Sequence, residues 1–358
     1  MPQPNNKITM TPSPSAKESS SDAIAAPQHQ PPTFSSSCWL ILAAIPLVLV
    51  AFTAGLGVIT DANQITPALD FGTGNMFDKI ATRYDTINRI LAMNMDIGWR
   101  RQMTQRIKEI LSQQNTSPET APWKILDMAT GTADVALQLV DDLAASHPTT
   151  VLGLDPSENM LSVGRSKIAR RELQSKIVLE TADARDLAKY YKRTKEASEK
   201  FDAATIAFGI RNVVPNRSKA LCEIHKLLKP EGVLAILEFS TPNYETHGIL
   251  GAAAGIFIKH AVPFVGGLLS GGARQEYRHL QNSIKEFPAP EIFRQQLEDL
   301  ECPLRDEDGD MYFYIGNYEM EKIVHMNFGS VQLYIGKAVV QQKSSLKNTD
   351  TKLPPIGA

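Results

Sequence analysis

Three aspartates stand at the ends of three consecutive predicted strands, where carboxylates can bind a ligand. Asp127 lies in the stretch "LDMATGTADVALQLV", and Asp155 and Asp183 come at the ends of the next two apolar runs. Gly131 follows the first strand in a short turn. Ligands of open α/β sheets bind beyond the carboxyl ends of the parallel strands, where the strand order reverses. The pattern therefore predicts a ligand site here, although each aspartate taken alone is more typical of a helix cap or a solvated loop.

The residues around Gly131 indicate which ligand this site prefers. A nicotinamide dinucleotide needs G-x-G-x-x-G, whereas Ala133 and Ala136 stand where the second and third glycines belong. Asp134 sits at the predicted helix start, where its charge would repel a pyrophosphate. The chain also lacks the G-K-[ST] of a phosphate loop. Asp127 and Asp134 instead favour a ligand with a cationic centre, and S-adenosylmethionine carries a sulfonium, an ammonium and no phosphate. Asp155 would then accept hydrogen bonds from the ribose hydroxyls, and Asp183 one from the adenine amino group.

The composition predicts one enzyme-sized domain with extensions. The chain has 358 residues and a formal net charge of −2, so no basic surface for nucleic acid is expected. Its cysteines, Cys38, Cys222 and Cys302, are odd in number and widely spaced. They fit neither a disulfide framework nor a zinc site, which predicts reduced cysteines and a reducing compartment.

Four segments differ in composition. Residues 1–37 are rich in Pro, Ser, Gln and Ala and are predicted to be a disordered leader. Residues 38–60 carry no charged side chain and, at about 1.5 Å per residue, are long enough to cross a hydrocarbon core of roughly 30 Å. They predict either a membrane anchor or a targeting segment that is removed. Residues 75–338 form the predicted globular domain, and residues 339–358 a polar, disordered tail.

Short apolar runs alternate with helical stretches through the domain, which predicts an α/β fold with a mostly parallel sheet. The predicted strands are 124–129, 150–155, 176–182, 202–208 and 232–240, the last preceded by a tight turn at "LKPEGV". Helices are predicted near 134–146, 157–174, 186–193, 216–229, 274–285 and 290–301. The terminal runs "MYFYIG" and "VQLYIGKAV" are predicted to be antiparallel, because little chain is left for a crossover.

Several motifs resemble one known family, over residues 76 to about 338. These are "MFDKIATRYDTINRILAMNMDIGWRRQM", "LDMATGTADVA", "FGIRNVVPNRSKALCEIHKLLKPEGVLAILEFS" and "EYRHLQNSIKEFP". They resemble the ubiquinone/menaquinone biosynthesis C-methyltransferases. The resemblance implies an α/β, Rossmann-like class I methyltransferase fold with a seven-stranded, mostly parallel sheet, an antiparallel C-terminal hairpin and helices on both faces. It also implies methylation of a ring carbon on a polyprenylated quinol.

The resemblance assigns S-adenosylmethionine as the cofactor and extends its site. The residues implied, besides Asp127 and Gly131, are Thr132 in the loop, Asp155 at the ribose, Asp183 and Ala184 at the adenine, and Ala207 at the end of strand four. Ala207 is often serine in the family. Ala133 replaces a usual glycine, and because alanine disfavours positive φ we expect this residue to be strained or compensated.

Arg211 and Asn212 follow the fourth strand, next to the expected position of the methyl group. Arg211 is predicted to stabilise a developing oxyanion or to position a water, and Asn212 to hold a ring oxygen. Because arginine stays protonated, the base is expected to be a water relayed to Asp134 or Tyr84. The alternative for Arg211 is a structural salt bridge.

The candidate substrate residues are Asp85, Asn88 and Tyr277. Asp85 and Asn88 belong to an N-terminal helical segment that is predicted either to cover the site as a lid or simply to pack there. The Gly- and Ala-rich stretch 248–272 is predicted either to line an isoprenoid channel or membrane-docking face, or to be an ordinary packed helix. The histidines lack metal-ligand spacing, and no metal is expected.

The leading hypothesis is thus a quinol C-methyltransferase acting on 2-methoxy-6-polyprenyl-1,4-benzoquinol. The alternatives are a demethylmenaquinone or demethylphylloquinone methyltransferase, a non-catalytic methyltransferase-fold subunit, and a methyltransferase for an unrelated small molecule. The expected partners are the polyprenyl quinol, a membrane, and a quinone-biosynthesis complex or a second copy of the chain. The long leader favours the mitochondrial inner membrane, with the plastid as the alternative.

Overall fold

The computed structural model describes residues 81–114, 121–194, 200–242, 244–256, 282–304 and 314–342. The predicted leader 1–37 and the apolar segment 38–60 lie outside these residues, as do Tyr277 and most of the predicted tail. Within the described ranges, no helix combines the length and the apolar character needed to cross a membrane.

A nine-stranded sheet forms the centre of the described part of the chain. Its strands are β1 (Trp123–Met128), β2 (Thr149–Asp155), β3 (Ile177–Thr181), β4 (Phe201–Ala207), β5 (Leu228–Phe239), β6 (Cys302–Leu304), β7 (Tyr314–Met320), β8 (Val324–Met326) and β9 (Val331–Gln342). The spatial order is β3-β2-β1-β4-β5-β9-β7-β6, with β8 paired to β9. Strands β1 to β5 are parallel, whereas β9 runs antiparallel to both β5 and β7. The order reverses between β1 and β4, so a crevice opens beyond their carboxyl ends.

Helices cover both faces of this sheet. They are α1 (Ala81–Leu91), α2 (Met95–Gln114), α3 (Asp134–Leu143), α4 (Glu158–Arg170), α5 (Leu187–Thr194), α6 (Arg217–Leu227), α7 (Tyr244–Ile256) and α8 (Pro290–Glu298). Buried side chains of α2, α3 and α4 form one core cluster with the sheet, and those of α5, α6 and α8 form a second. Successive β1 residues alternate between them: Ile125 packs in the first cluster and Leu126 in the second. The predicted Rossmann-like α/β fold and its antiparallel C-terminal strands are confirmed.

The structure adds details that the sequence patterns missed. The short strands β6 and β8 were not predicted, because three residues give too little periodicity to detect. The predicted turn at "LKPEGV" is instead the irregular start of β5, with Glu231 at φ 60° and a register shift against β4. The sheet also continues to Gln342, beyond the predicted domain end at residue 338.

The prediction of reduced cysteines was wrong for two of the three. Cys222 in α6 and Cys302 in β6 form a disulfide, with their Cα atoms 5.0 Å apart. Both residues are buried in the second core cluster. The spacing rule failed because the two cysteines lie 80 residues apart and meet only when β6 reaches the side of the sheet that α6 covers.

Candidate functional site

The loop after β1 has an unusual backbone at the position predicted for the ligand. Ala129, Gly131 and Ala133 all have positive φ angles, of 53°, 54° and 65°. The Asp155 carboxylate, at the end of β2, accepts hydrogen bonds from the backbone N–H groups of Gly131 and Ser157, both at 2.9 Å. Asp155 therefore fixes the loop after β1 to the end of β2, and its predicted contact with the ribose hydroxyls stays a prediction.

Ala133 shows the strain expected from its replacement of a glycine. Its φ and ψ of 65° and 22° are left-handed, and it immediately precedes α3 with its methyl group fully buried. Gly164 of α4 compensates sterically, because a Cβ there would lie 3.1 Å from the Ala133 methyl. The sequence prediction of a strained or compensated residue is thus confirmed, and the structure shows both.

Asp127 braces the loop from below. Its two carboxylate oxygens accept hydrogen bonds from the hydroxyls of Thr130 and Thr205, each at 2.6 Å, and the residue is only 1% exposed. Thr205 is the register partner of Asp127 across the β1–β4 pair, which explains how the two side chains meet. Burial raises the pKa of Asp127 from 3.8 to about 6, although both threonine hydrogen bonds oppose the shift.

Asp134 is neutralised by three cations. Its carboxylate lies 2.7 Å from Lys167 Nζ, 3.0 Å from Arg89 Nη2 and 3.3 Å from Arg100 Nη2. Burial alone would raise its pKa, but the charges of Arg100, Lys167 and Arg89 outweigh burial and lower it. The prediction that Asp134 favours a cationic ligand by its charge was therefore wrong, since three cations already compensate this carboxylate. The same contacts make Asp134 a weak proton acceptor. Asp127, in contrast, is bound by two neutral threonine hydroxyls.

The predicted substrate residue Asp85 belongs to this cluster. Its carboxylate accepts a 2.6 Å hydrogen bond from the Thr132 hydroxyl and lies 2.5 Å from Lys167 Nζ. Lys167 also donates to Thr132 at 2.9 Å. The predicted cofactor residue Thr132 thus holds α1 against the loop, and its hydroxyl is engaged by protein groups. No local sequence pattern indicated Lys167, because it lies on α4, 35 residues from Thr132.

The remaining predicted cofactor residues also lie at strand ends. Asp183 follows β3, caps a short 3-10 helix that begins at Ala184, and pairs with the Arg185 guanidinium at 2.5–3.1 Å. The pKa of Asp183 is lowered: burial acts to raise it, but the hydrogen bonds and charge of Arg185 prevail. Ala207 is the last residue of β4, at the edge of the crevice.

Arg211 and Asn212 follow β4 in a 3-10 helix, and both are buried. Arg211 Nη1 donates to the Phe208 carbonyl at 2.5 Å and to Glu238 Oε1 at 2.7 Å. The structural salt bridge considered as the alternative for Arg211 is therefore present. Arg211 Nε, however, is buried and has no hydrogen-bond partner among the residues that the structure describes. A buried donor of this kind usually binds a ligand or a water, so the salt bridge does not exclude a direct contact between Arg211 and the substrate.

Glu238 is the functional candidate that the sequence analysis overlooked. It lies near the end of β5 in "LEFS", and its side chain is fully buried. A charged residue inside the apolar run "GVLAILEFS" was the available signal, since buried carboxylates require partners. Aromatic rings pack beside the pair: Phe208 and Phe239 lie 4.5 Å apart, and the Trp99 ring approaches both edge-on.

Other predicted residues contribute less to this geometry. Asn88 lies on α1, one turn from Asp85, and is partly buried. Tyr84 also lies on α1, but its side chain, like Tyr277, lies outside the described part of the structure. A pocket of about 540 Å³ opens beside Arg89 and is lined by Thr86, Ile90, Met93 and Asn94. It adjoins the Asp134 cluster through Arg89 but does not include the cofactor loop. Among the described residues there is no group of three or more metal-ligating side chains.

The residues at the carboxyl ends of β1 and β2 are chemically compatible with S-adenosylmethionine. The loops that follow β1 and β4 pack closely against each other, since a Cβ on Gly209 would lie 2.5 Å from the Ala129 methyl. Asp155, at the end of β2, is only 8% exposed and offers carboxylate lone pairs suited to a ribose diol.

The sequence matches the model of the ubiE/COQ5 methyltransferase family over residues 68–302. The chain belongs to this family. It is therefore an enzyme that uses S-adenosylmethionine as a methyl donor. Among its relatives, the ubiquinone/menaquinone biosynthesis C-methyltransferase UbiE of Geotalea daltonii is 38% identical over 222 residues, or 61% of this chain and 83% of the relative. The demethylmenaquinone methyltransferase of Thermus thermophilus is 37% identical over 61% of this chain and 87% of its own length.

Solved structures resemble this methyltransferase more distantly. A SAM-dependent methyltransferase from Aquifex aeolicus aligns with 65% of this chain and 88% of its own, at 13% identity and a TM-score of 0.37. At this level the sequence match carries the family assignment.

Proposed function

We propose that this methyltransferase transfers a methyl group to a ring carbon of a polyprenylated quinol in quinone biosynthesis. The favoured substrate is 2-methoxy-6-polyprenyl-1,4-benzoquinol of the ubiquinone pathway. The observation that carries the proposal is the buried Arg211 beside the crevice, whose Nε lacks a partner and can donate to a quinol oxygen. The names of the two relatives support the same reaction class.

The proposed chemistry needs an electron-rich ring carbon. S-adenosylmethionine would supply the methyl group from its sulfonium, whose sulfur leaves as the neutral thioether of S-adenosylhomocysteine. The methylated ring carbon then loses its hydrogen as a proton, which restores the aromatic ring. Arg211 stabilises the negative charge that grows on the quinol oxygen as its proton leaves, and Asn212 holds the second ring oxygen. The buried surroundings of Arg211, with Phe208 and Phe239, exclude water and strengthen these contacts.

The proton acceptor in this proposal is a water molecule held by the site. Asp134 is poorly suited to accept the proton itself, because three cations hold its pKa below the usual range. Tyr84, which was predicted from the sequence, is the alternative residue in the relay that removes the quinol proton. Asp85 and Asn88 on α1 are proposed to contact the substrate from the side that the helix covers.

We also propose that the enzyme works at a membrane, because a polyprenyl tail is insoluble in water. Exposed apolar side chains support this proposal: Ile249, Leu250 and Ile256 of α7 are 77%, 48% and 64% exposed. The favoured location is the mitochondrial inner membrane, with the plastid as the alternative. We propose that the enzyme also binds a protein partner, either a quinone-biosynthesis complex or a second copy of the chain. The exposed apolar side chains of α7 support this proposal as well.

The deciding experiment incubates the purified full-length chain and labelled S-adenosylmethionine with demethylated benzoquinol and naphthoquinol precursors side by side. Faster transfer to the benzoquinol supports the ubiquinone route, and faster transfer to the naphthoquinol supports the menaquinone or phylloquinone route. Transfer to a soluble phenol but to neither quinol would refute the proposal. Failure to bind S-adenosylmethionine in calorimetry would instead indicate a non-catalytic subunit.

A further inference from the structure

The Glu238 carboxylate gathers hydrogen bonds from both the backbone and the side chain of Arg211. Its Oε2 accepts from the Arg211 backbone N–H at 3.2 Å, and its Oε1 accepts from Arg211 Nη1 at 2.7 Å. The Phe239 N–H also donates to Oε1, at 2.8 Å. The Glu238 carboxylate thereby fixes both the backbone position of Arg211 and the orientation of its guanidinium.

These contacts engage Nη1 of the Arg211 guanidinium and leave its Nε without a partner among the described residues. Nη1 is shared between Glu238 and the Phe208 carbonyl, while the Phe239 ring lies 5.6 Å from the guanidinium carbon. Nε is buried and makes no hydrogen bond within the described part of the chain. Since buried donors are almost always paired, Nε–H marks the atom that is left for a bound oxygen.

We propose that Glu238 is the positioning residue of the methyl-transfer site, which orients Arg211 so that its Nε–H meets the quinol oxygen. This inference rests on the proposed function. Glu238 itself is fully buried and acts through Arg211, not on the substrate. The backbone of Phe208 supports this orientation. Its positive φ of 57° is left-handed and turns the chain sharply from β4 back toward Glu238.

The charge of Glu238 also changes the pKa of two neighbouring groups, Arg217 and Tyr334. Burial lowers the pKa of Arg217, and Glu238 partly opposes this effect. Burial raises the pKa of Tyr334, and Glu238 adds to the increase. Neither group changes its charge near neutral pH, so neither one contributes to a change of activity between pH 7 and pH 9.

The test compares Glu238→Gln with a matched buried carboxylate at the opposite end of the sheet. Asp202, at the start of β4, has 2% side-chain exposure, pairs with Lys229 at 2.5 Å and accepts the Lys124 N–H at 2.9 Å. Asp202→Asn thus removes a comparable buried charge far from the crevice. Arg211→Lys provides a second variant, because lysine keeps a positive charge but lacks an Nε–H donor. Purified full-length proteins are assayed anaerobically with a short-chain demethylated benzoquinol, and S-adenosylmethionine binding is measured by calorimetry.

Glu238→Gln is expected to lower kcat about 100-fold, as misorientation of a catalytic group does, while the affinity for S-adenosylmethionine changes less than about twofold. Arg211→Lys should lose a similar factor, and the double variant should be scarcely worse than either single one, because the two residues act as one unit. The activity of Glu238→Gln relative to wild type should rise between pH 7 and pH 9, as the quinol ionises by itself. Asp202→Asn should keep its kcat at every pH.

Four results would overturn the positioning role. They are a Glu238→Gln kcat within about threefold of wild type, loss of cofactor binding together with kcat, multiplicative losses in the double variant, and a rate ratio that does not change with pH. Loss of cofactor binding would make Glu238 part of the scaffold. A wild-type enzyme that methylates neither quinol refutes the proposed function, and the positioning role falls with it.

Discussion

Arg89 Nη2 lies 3.0 Å from the Asp134 carboxylate, so a residue of α1 is bound directly to the helix that begins after the cofactor loop. Arg89 also pairs with Asp96 of α2 at 2.7 Å. Together with the Asp85–Lys167 contact, these ion pairs tie α1 to α2, α3 and α4. The N-terminal segment is therefore attached to the cofactor site by charge, which is the arrangement a cover over the site would need.

Replacing Arg89 should loosen this attachment. In Arg89→Ala we expect faster amide hydrogen exchange in α1 and a several-fold higher KM for the quinol, with a smaller change in kcat. The loss of stability should be about 1 kcal/mol, because Arg89 is partly exposed and its pairs are screened. Arg171→Ala is the control, since it removes the exposed ion pair between Arg171, which directly follows α4, and Asp141 of α3. Unchanged exchange in α1 would contradict this role of Arg89.

Asp155 should dominate the affinity for the cofactor. Asp155→Ala removes the acceptor for Gly131 and Ser157 as well as the proposed acceptor for the ribose. Hydrogen bonds to a charged group contribute about 1.5–3 kcal/mol each, so the dissociation constant should rise at least about 100-fold in calorimetry. Asp141→Ala, an exposed carboxylate on α3, should bind normally. An affinity for Asp155→Ala within about threefold of wild type would refute the assignment.

Asp127 should make stability depend on pH in an unusual direction. Its pKa of about 6 in the folded chain exceeds the usual 3.8, so between about pH 4 and pH 6 the folded chain holds a proton that the unfolded chain has lost. The contribution of Asp127 is therefore most favourable below pH 4 and is lost as the pH rises through 6.

The direction of this pH dependence can be measured by urea unfolding of the wild type and of Asp127→Asn at several pH values. Relative to the variant, the wild type should lose about 3 kcal/mol of unfolding free energy between pH 4 and pH 7. A difference that stays constant, or changes in the opposite direction, would mean that Asp127 is not buried as a carboxylate between its two threonines.

The Cys222–Cys302 bond should stabilise the C-terminal part of the sheet. It closes a loop of 80 residues, for which the chain-entropy model gives about 4 kcal/mol. Cys222→Ser, or reduction of the wild type, should lower the urea midpoint accordingly, while Cys38→Ser should leave it unchanged. Alkylation and mass spectrometry of the unreduced protein report the bond directly. Full labelling of both Cys222 and Cys302 would show that they are reduced thiols.

Local sequence determined the strand ends and the residues that stand on them. Asp155, Asp183 and Arg211 could be placed at one edge because the carboxyl ends of parallel strands lie together once alternating strands and helices are recognised. The strain at Ala133 was equally readable, since the turn into α3 requires a left-handed residue that glycine would ordinarily supply.

The partners of these residues were decided by the tertiary structure alone. Lys167 reaches Asp134 because α4 packs over the loop, and Glu238 reaches Arg211 because β5 lies beside β4. Such contacts join residues tens of positions apart, and no local period encodes them. Whether a carboxylate is a free charge or a neutralised one depends on these contacts. The sequence therefore predicted the position of the cofactor site, while the folded chain decided which of its acids are paired with cations.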